Sequence, residues 1–280
     1  MNVLMTALTY KNCYSMKFYA IFLCLFISGV CRAQQWELEL MPAVAAYNGD
    51  LTEKRIQLNY FRPAVGLNLK YNSQDYFNLR LGFVYGKIGA DDKNNPSQEF
   101  KDRNLSFRSN IFEVNVIAEL NLFDPDTYTS YPYVLGGVGA FYFNPYTFDN
   151  NNKKVFLRPL STEGEGLKEF PERKEYSLYQ VCFPIGFGWK WTIKEKWQIS
   201  YEFSYRFIFT DYLDDVSKNY VDFEVLQQEK GAESVALSYR GLKPFNAATD
   251  IRGSSRNNDT YFFNGIKIGT SLGNLFKSKR

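Results

Sequence analysis

The sequence predicts an all-β chain: an eight-stranded antiparallel transmembrane β-barrel with short periplasmic turns and long extracellular loops. Three observations carry this. From Trp197 to Phe209 every odd position is large and apolar, whereas Gln198, Ser200, Glu202, Ser204 and Arg206 hold the even positions. A period of two over thirteen residues gives one face to lipid and leaves the other to ionise. Second, the same alternation recurs in eight segments whose connections alternate between short and long. Third, the 280 residues include 21 Tyr and 25 Phe, yet mean hydropathy is negative. Beyond the N-terminus no stretch reaches the roughly 20 apolar residues of a membrane-crossing helix.

The strands follow in order. The first covers Gln35 to about Tyr47. The second, Arg62 to Tyr71, sets Val65, Leu67 and Leu69 against Asn68 and Lys70. The third, Tyr76 to Lys87, sets Phe77, Leu79, Leu81, Phe83 and Tyr85 against Asn78 and Arg80. The fourth, Ser109 to Leu122, opposes Phe112, Val114, Val116 and Leu120 to Glu113, Asn115 and Glu119. The fifth is Tyr133 to Phe143, and the sixth is Ser177 to Trp191, with Lys190 on its polar face. The seventh is the segment ending at Phe209, and the eighth is Thr260 to Leu272, where the two faces are less distinct. The connections 72–75, 123–132 and 192–196 are short; 48–61, 88–108, 144–176 and 210–259 are long, the last with a helical stretch near Phe223 to Tyr239. Even strand number with this asymmetry is the outer-membrane pattern. A secreted barrel of the lipocalin kind shares the alternation but turns its polar face outward. Ionisable residues on the second face, and Trp189, Trp191 and Trp197 around one short turn, favour the membrane barrel.

Met16 and Lys17 precede an almost wholly apolar run from Phe18 to Val30, and then Cys31, Arg32 and Ala33. This is a secretory signal, with cleavage expected between Ala33 and Gln34 and the start at either Met1 or Met16. The domain reading is therefore 1–33 signal peptide, 34–272 outer-membrane barrel and 273–280 basic periplasmic tail. Only Cys182 remains after cleavage, so the mature chain forms no internal disulfide.

Histidine is absent from the sequence. That removes His-dependent nucleophile activation, His general bases and His-metal sites. The reading is non-enzymatic, with no cofactor. Asp211, Asp214 and Asp215 have the oxygen chemistry of a Ca²⁺ site, though capping loop turns is the commoner use of such residues. The formal charge of +3 gives no footprint for nucleic acid. Arg80, Glu113, Glu119, Lys190, Glu202 and Arg206 are expected to pair inside the barrel, since a lone buried charge is costly. A barrel of this size has room for side chains or one small ligand, which disfavours a porin.

The loops carry more specific strings. They are Tyr47-Asn48-Gly49-Asp50-Leu51, Arg103-Asn104-Leu105-Ser106-Phe107-Arg108-Ser109, Leu157-Arg158-Pro159-Leu160-Ser161-Thr162-Glu163-Gly164 and Phe209-Thr210-Asp211-Tyr212-Leu213-Asp214-Asp215. With Gly139 to Pro145, Arg252-Gly253-Ser254 and Asp259, they resemble the PorG-like outer-membrane barrels of the Bacteroidetes group. The resemblance implies a location in the cell outer membrane and a role in type IX protein secretion. It also implies partners beyond the surrounding outer-membrane lipid, namely a periplasmic lipoprotein and a ring subunit. It supplies no catalytic residue. The alternative is a small membrane-stability or adhesion barrel whose extracellular loops are the working surface. The strings themselves are expected to fold over the barrel mouth as a cap, with Asp50 and the carboxylates of 211–215 accepting backbone N–H groups in tight turns.

Overall fold

The computed structural model describes residues 35–52, 58–74, 76–194, 196–241, 243–246, 250–256 and 258–276. The expected signal segment, its Ala33–Gln34 junction and residues 277–280 lie outside these. Eight long strands form the wall: β1 (Trp36–Asn48), β2 (Arg62–Gln74), β3 (Phe77–Asp91), β4 (Ser106–Asn121), β5 (Ser130–Tyr142), β8 (Tyr179–Ile193), β9 (Trp197–Ile208) and β10 (Thr260–Ser271). Each pairs antiparallel with its neighbours, and β10 returns to β1 with Leu38 opposite Thr270 and Tyr47 opposite Tyr261. The sheet is closed, so the wall has no unpaired edge.

The alternation decides the faces. Every wall strand turns large apolar residues outward, from Leu40 on β1 through Leu67, Leu81, Val114, Val138, Phe187 and Phe207 to Ile268 on β10. A soluble protein rarely exposes an apolar patch beyond a few hundred Å², and a belt around all eight strands fits lipid instead. Trp189, Trp191 and Trp197 are exposed at the short-turn end of the belt. Tyr85, Phe112, Tyr142 and Tyr179 form contiguous ring pairs at the other end. The lipocalin-like arrangement is thereby ruled out. The faces of β10 read poorly for a local reason: outward Phe262 is covered by the rings of Phe61 and Phe203.

The interior is filled. Five carboxylates (Glu37, Glu39, Glu113, Glu119, Glu202) and five cations (Lys70, Arg80, Lys190, Arg206, Lys267) from the wall strands are buried. Toward the long loops, level with Glu113 and Arg206 and above the other eight charges, Met41, Val84, Ile111, Phe141, Tyr261 and Phe263 belong to a continuous apolar core. Gly188 is required where Tyr133 crosses the lumen, because a Cβ there would lie 2.4 Å from the ring and 2.2 Å from the Tyr201 carbonyl.

The structure departs from the sequence reading in the loops and at the chain end. Strands β3 and β4 run on past the membrane belt to Asp91 and from Ser106, joined through the helix α1 (Gln98–Arg103). The third long loop carries a hairpin, β6 (Tyr146–Phe148) and β7 (Lys154–Phe156), tied to β4 by the Arg108–Tyr146 pair. The helical stretch in the last loop is two helices, α2 (Phe223–Lys230) and α3 (Ala232–Ser238), broken at Gly231. The final strand stops at Ser271, and the expected tail opens as a short helix, α4 (Leu272–Phe276).

Glu119 is the hub of the interior, within 2.8 Å of Arg80, 2.6 Å of Lys190 and 2.8 Å of Lys267. Replacing it with Gln leaves buried cations uncompensated, which costs about 3 to 5 kcal/mol. Urea unfolding of the barrel in lipid vesicles should register that loss, and adding Lys190→Gln should recover part of it.

Candidate functional site

Two buried polar networks distinguish this barrel. The lower one fills the lumen. Arg80 grips Glu202 with both terminal nitrogens, at 2.7 and 2.9 Å. Lys267 bridges Glu119 and Glu202, and Lys70 sits 2.7 Å from Glu37 and 2.8 Å from Glu39. Further up, Arg206 meets Glu113 at 3.1 Å, and Tyr261 donates to the same carboxylate at 2.8 Å. All six lumen charges picked out in the sequence lie in this interior. Glu37, Glu39, Lys70 and Lys267 were not among them. Assigning inward faces to the first and last strands would have found three of these four, since Lys70 already stood on a polar face.

The upper network closes the barrel mouth and is built from the loop strings. Arg252, just ahead of β10, is its centre. Its Nε lies 3.1 Å from Glu163, and its Nη2 donates to the Thr162 hydroxyl (2.6 Å) and the Asp215 carbonyl (2.9 Å). Asp215 in turn accepts from Thr162 (2.5 Å) and from Tyr176 (2.6 Å). Glu163 accepts the backbone N–H groups of Ser217 and Lys218 at 2.9 to 3.0 Å. One arginine thus ties together the third and fourth long loops.

A second arginine ties in the other two. Arg103, at the end of α1, donates to Asp92 at 2.8 and 2.9 Å, to the Asp50 carbonyl at 2.9 Å, and to the Arg252 carbonyl. Asn104 ends α1 in the left-handed region at φ 58° and donates to the Arg240 carbonyl. Leu51, Leu105 and Leu213 pack into the apolar core below, and Ser106 meets Thr147 at 3.1 Å. Pro159 and Leu160 form a single 3₁₀ turn whose carbonyls receive Lys230 and Ser234, fastening helices α2 and α3 to the cap. Gly164 turns at φ 78° beside the ring of Phe170. Thr210 holds Asp259 by its carbonyl, and Tyr212 stacks on Tyr176 with centroids 4.8 Å apart.

The turn-capping expectation needs revision residue by residue. Asp214 accepts Val216 N–H at 2.8 Å, as a tight-turn carboxylate does, whereas Asp50 accepts Ser254 N–H at 2.8 Å from another loop and so joins two loops rather than capping its own turn. Asp215 instead serves Arg252, Thr162 and Tyr176. Asp211 leaves one carboxylate oxygen without a hydrogen-bond partner. Arg103, Arg252 and Asp259, named in the strings without a role, are central to the cap, and Tyr176 was missed. Asp211, Asp214 and Asp215 do not converge as a metal shell; among the described residues no group of three or more carboxylate or thiol side chains is placed to hold a metal ion.

Burial dominates the cap's proton affinities. It pushes Asp211 up to about 8 and Glu165 up to about 8, the latter helped by the negative charge of Asp215 and Glu163. Asp215 rises to about 6, with Arg252 opposing the rise. Asp214 and Asp259, both within reach of the Tyr47 hydroxyl, are raised as well.

A closed wall, a lipid-facing exterior and a neutralised interior define a transmembrane-type β-barrel sealed by its own loops. Within that class, the chain belongs to the family described as a domain of unknown function, DUF6089, whose model matches residues 16–233. Among solved structures it is similar to Neisserial surface protein A, at 8% identity and TM-score 0.44 over 85% of this chain and 97% of that one. It is also similar to Ail, the attachment invasion locus protein of Yersinia pestis, at 8% identity and TM-score 0.37 over 84% and 97%. A third similar structure is the outer membrane protein OprG from Pseudomonas aeruginosa, at 9% identity and TM-score 0.37 over 84% and 96%. No curated protein matches the chain.

Two outcomes follow from the cap. A Cβ on Gly49 would fall 1.8 Å from Asp259 Oδ1 and 2.2 Å from the Tyr47 hydroxyl. Gly49→Ala should cost on the order of 1 to 3 kcal/mol, the range of buried overpacking, and open the loops to limited proteolysis while the wall stays intact. The second concerns pH. Asp211, Glu165 and Asp215 keep their protons in the fold where the unfolded chain has released them, from about pH 4 up to their raised values. Cap stability should therefore fall as pH rises from 5 to 8.5. Hydrogen exchange of residues 210–217 should be faster at the higher pH after correction for intrinsic rates, and Asp211→Asn should flatten the trend.

Proposed function

We propose that the protein is a non-enzymatic outer-membrane barrel that anchors or supports the type IX protein secretion machinery. In this reading the wall sits in outer-membrane lipid with the short turns in the periplasm. A periplasmic lipoprotein and a ring subunit dock at the short-turn end, on the turns around 75–76, 122–129 and 194–196 and on the chain end after β10. The observation that supports it most is the convergence of the PorG-like strings on one buried unit. They sit together around Arg252 and Arg103 and so act as one structural unit, which is what a shared role for the strings would require. A filled lumen under a closed cap suits a static support and does not suit a channel. Catalysis draws no support: the chain has no histidine, and the interior carboxylates are committed to ion pairs or hydrogen bonds.

A second reading has a specific observation in its favour. The loop end is far more built than the turn end, which suits a stability or adhesion barrel working from its extracellular face.

Affinity purification of the tagged protein from its own outer membrane, in mild detergent, separates the two. The anchor reading expects a periplasmic lipoprotein and a ring subunit to co-purify, and expects deletion of 273–280 to reduce their recovery while the barrel keeps its heat-modifiable gel mobility. Recovery of an intact barrel alone would overturn it in favour of the second reading.

A further inference from the structure

A cleft of about 430 Å³ opens on the rim of the loop end, between the projecting ends of β3 and β4 and the β6–β7 hairpin. That is within the usual range for small-ligand sites. Four cations line it: Arg62, Lys93, Arg108 and Arg240. None of the four is ion-paired among the described residues. Two carboxylates, Asp91 and Asp149, also line it, each with one oxygen taken up by its own turn, so the cations are in excess. Asp91 accepts Lys93 N–H at 3.0 Å, and Asp149 accepts the N–H groups of Asn151 and Lys153 at 2.8 Å. Arg108 stacks over the Phe148 ring at 5.1 Å, which fixes its guanidinium plane without neutralising it. Arg240 Nη1 donates to the Thr147 and Ser106 hydroxyls at 3.2 and 3.4 Å, which positions the guanidinium without neutralising it. The wall and the cap neutralise their interior cations with carboxylates; this rim leaves its cations open.

Height on the barrel narrows the ligand. On the outward face of the β3–β4 pair the register runs Tyr85–Phe112, then Lys87–Asn110, then Gly89–Arg108. Tyr85 and Phe112 form part of the upper aromatic belt, with centroids 5.0 Å apart. Aromatic belts mark the headgroup boundary. Lys87 therefore comes one outward pair above that boundary and Arg108 two, about 13 Å along a strand rising ~3.3 Å per residue. Arginine forks suit phosphate geometry, and the cleft also offers the amides of Asn94, Asn150 and Asn152 to hydroxyls.

We propose that this cleft binds a phosphorylated sugar, with the headgroup of an outer-leaflet glycolipid as its source. The site depends on the barrel's placement in a membrane and not on any role in secretion.

The test uses the full-length barrel in phosphatidylcholine nanodiscs carrying either diphosphoryl lipid A or its dephosphorylated form, with retained lipid read by native mass spectrometry. The double variant Lys93→Gln, Arg108→Gln removes two exposed cations, of which only Arg108 packs on a ring, that of Phe148. Lys168→Gln, Lys174→Gln removes the same charge outside the cleft. Wild type and the second variant should retain diphosphoryl lipid A, and the first should bind about a hundredfold less tightly, each of the two lost charged hydrogen bonds contributing about tenfold. Equal retention by all three proteins, or equal retention of dephosphorylated lipid A, overturns the proposal. Soluble glucosamine 6-phosphate supplies the other arm. If it binds in a Lys93- and Arg108-dependent way while lipid A is not retained, the phosphorylated-sugar site stands and its source is a free glycan.

Discussion

Charge neutrality inside a narrow closed wall is the condition on which the rest of this structure rests. Lipid takes one face of every strand, and closure satisfies every backbone ladder. What is left is a space too small for bulk water, lined by ten ionised side chains. Such groups are tolerable only when each finds a counter-charge and spare hydrogen bonds. The five-to-five balance, with Glu119 and Glu202 shared among Arg80, Lys190 and Lys267, meets that requirement. Buried ion pairs of this kind add little net stability over an apolar filling. Their value lies in register. A strand displaced by one residue would turn Arg80 or Lys267 into lipid and Leu81 or Ile266 into the charged interior.

The cap solves a different problem. Four long loops must cover the mouth without a periodic pattern to bury, so they rely on specific hydrogen bonds around two arginines. Carboxylates outnumber cations there, and burial rather than salt-bridge formation governs several of them. Asp211 and Glu165 remain protonated where free carboxylic acids are ionised. The apolar layer of Met41, Val84, Phe141 and Phe263, crossed by the Glu113–Arg206 pair, lies between this proton-rich lid and the Glu119-centred ion pairs below. The two networks can thus have opposite electrostatic character only a few residues apart along the same strands.

This difference explains what could be read from the sequence. Period-two alternation is local, so all eight wall strands, the short turns and the inward faces of the second, third, fourth, sixth and seventh strands were legible in residues such as Phe77 to Tyr85 or Phe112 to Leu120. The cap was legible only as strings. Nothing near Arg252 in sequence points to Glu163, eighty-nine positions earlier, and nothing near Arg103 points to Asp50. The β6–β7 hairpin and helix α1 are too short for periodicity to reveal. Strand β10 blurred because Phe262 faces outward yet is covered by neighbouring rings. Lys267 was overlooked with it, although it sits among Glu39, Glu119 and Glu202. The capping roles given to Asp211 and Asp215 failed for a related reason: in a buried loop cluster a carboxylate answers the strongest donor in space, and for Asp215 those are Arg252 and Tyr176.

The same reasoning bears on where this protein meets other molecules. Among the described residues, a lumen filled with salt bridges and a mouth covered by its own loops favour a surface over the interior for contact with other molecules. The wall is committed to lipid. The short turns offer little area, so the partner proposed for that end would have only a small docking patch unless the chain end contributes. The loop end offers the most relief, and most of its polar groups are already satisfied within the cap. Arg62, Lys93, Arg108 and Arg240 are the exception. Four cations against the two carboxylates Asp91 and Asp149 leave the cleft with a positive excess that an anion would balance, and their height just above the aromatic belt is where phosphates of a membrane leaflet would lie.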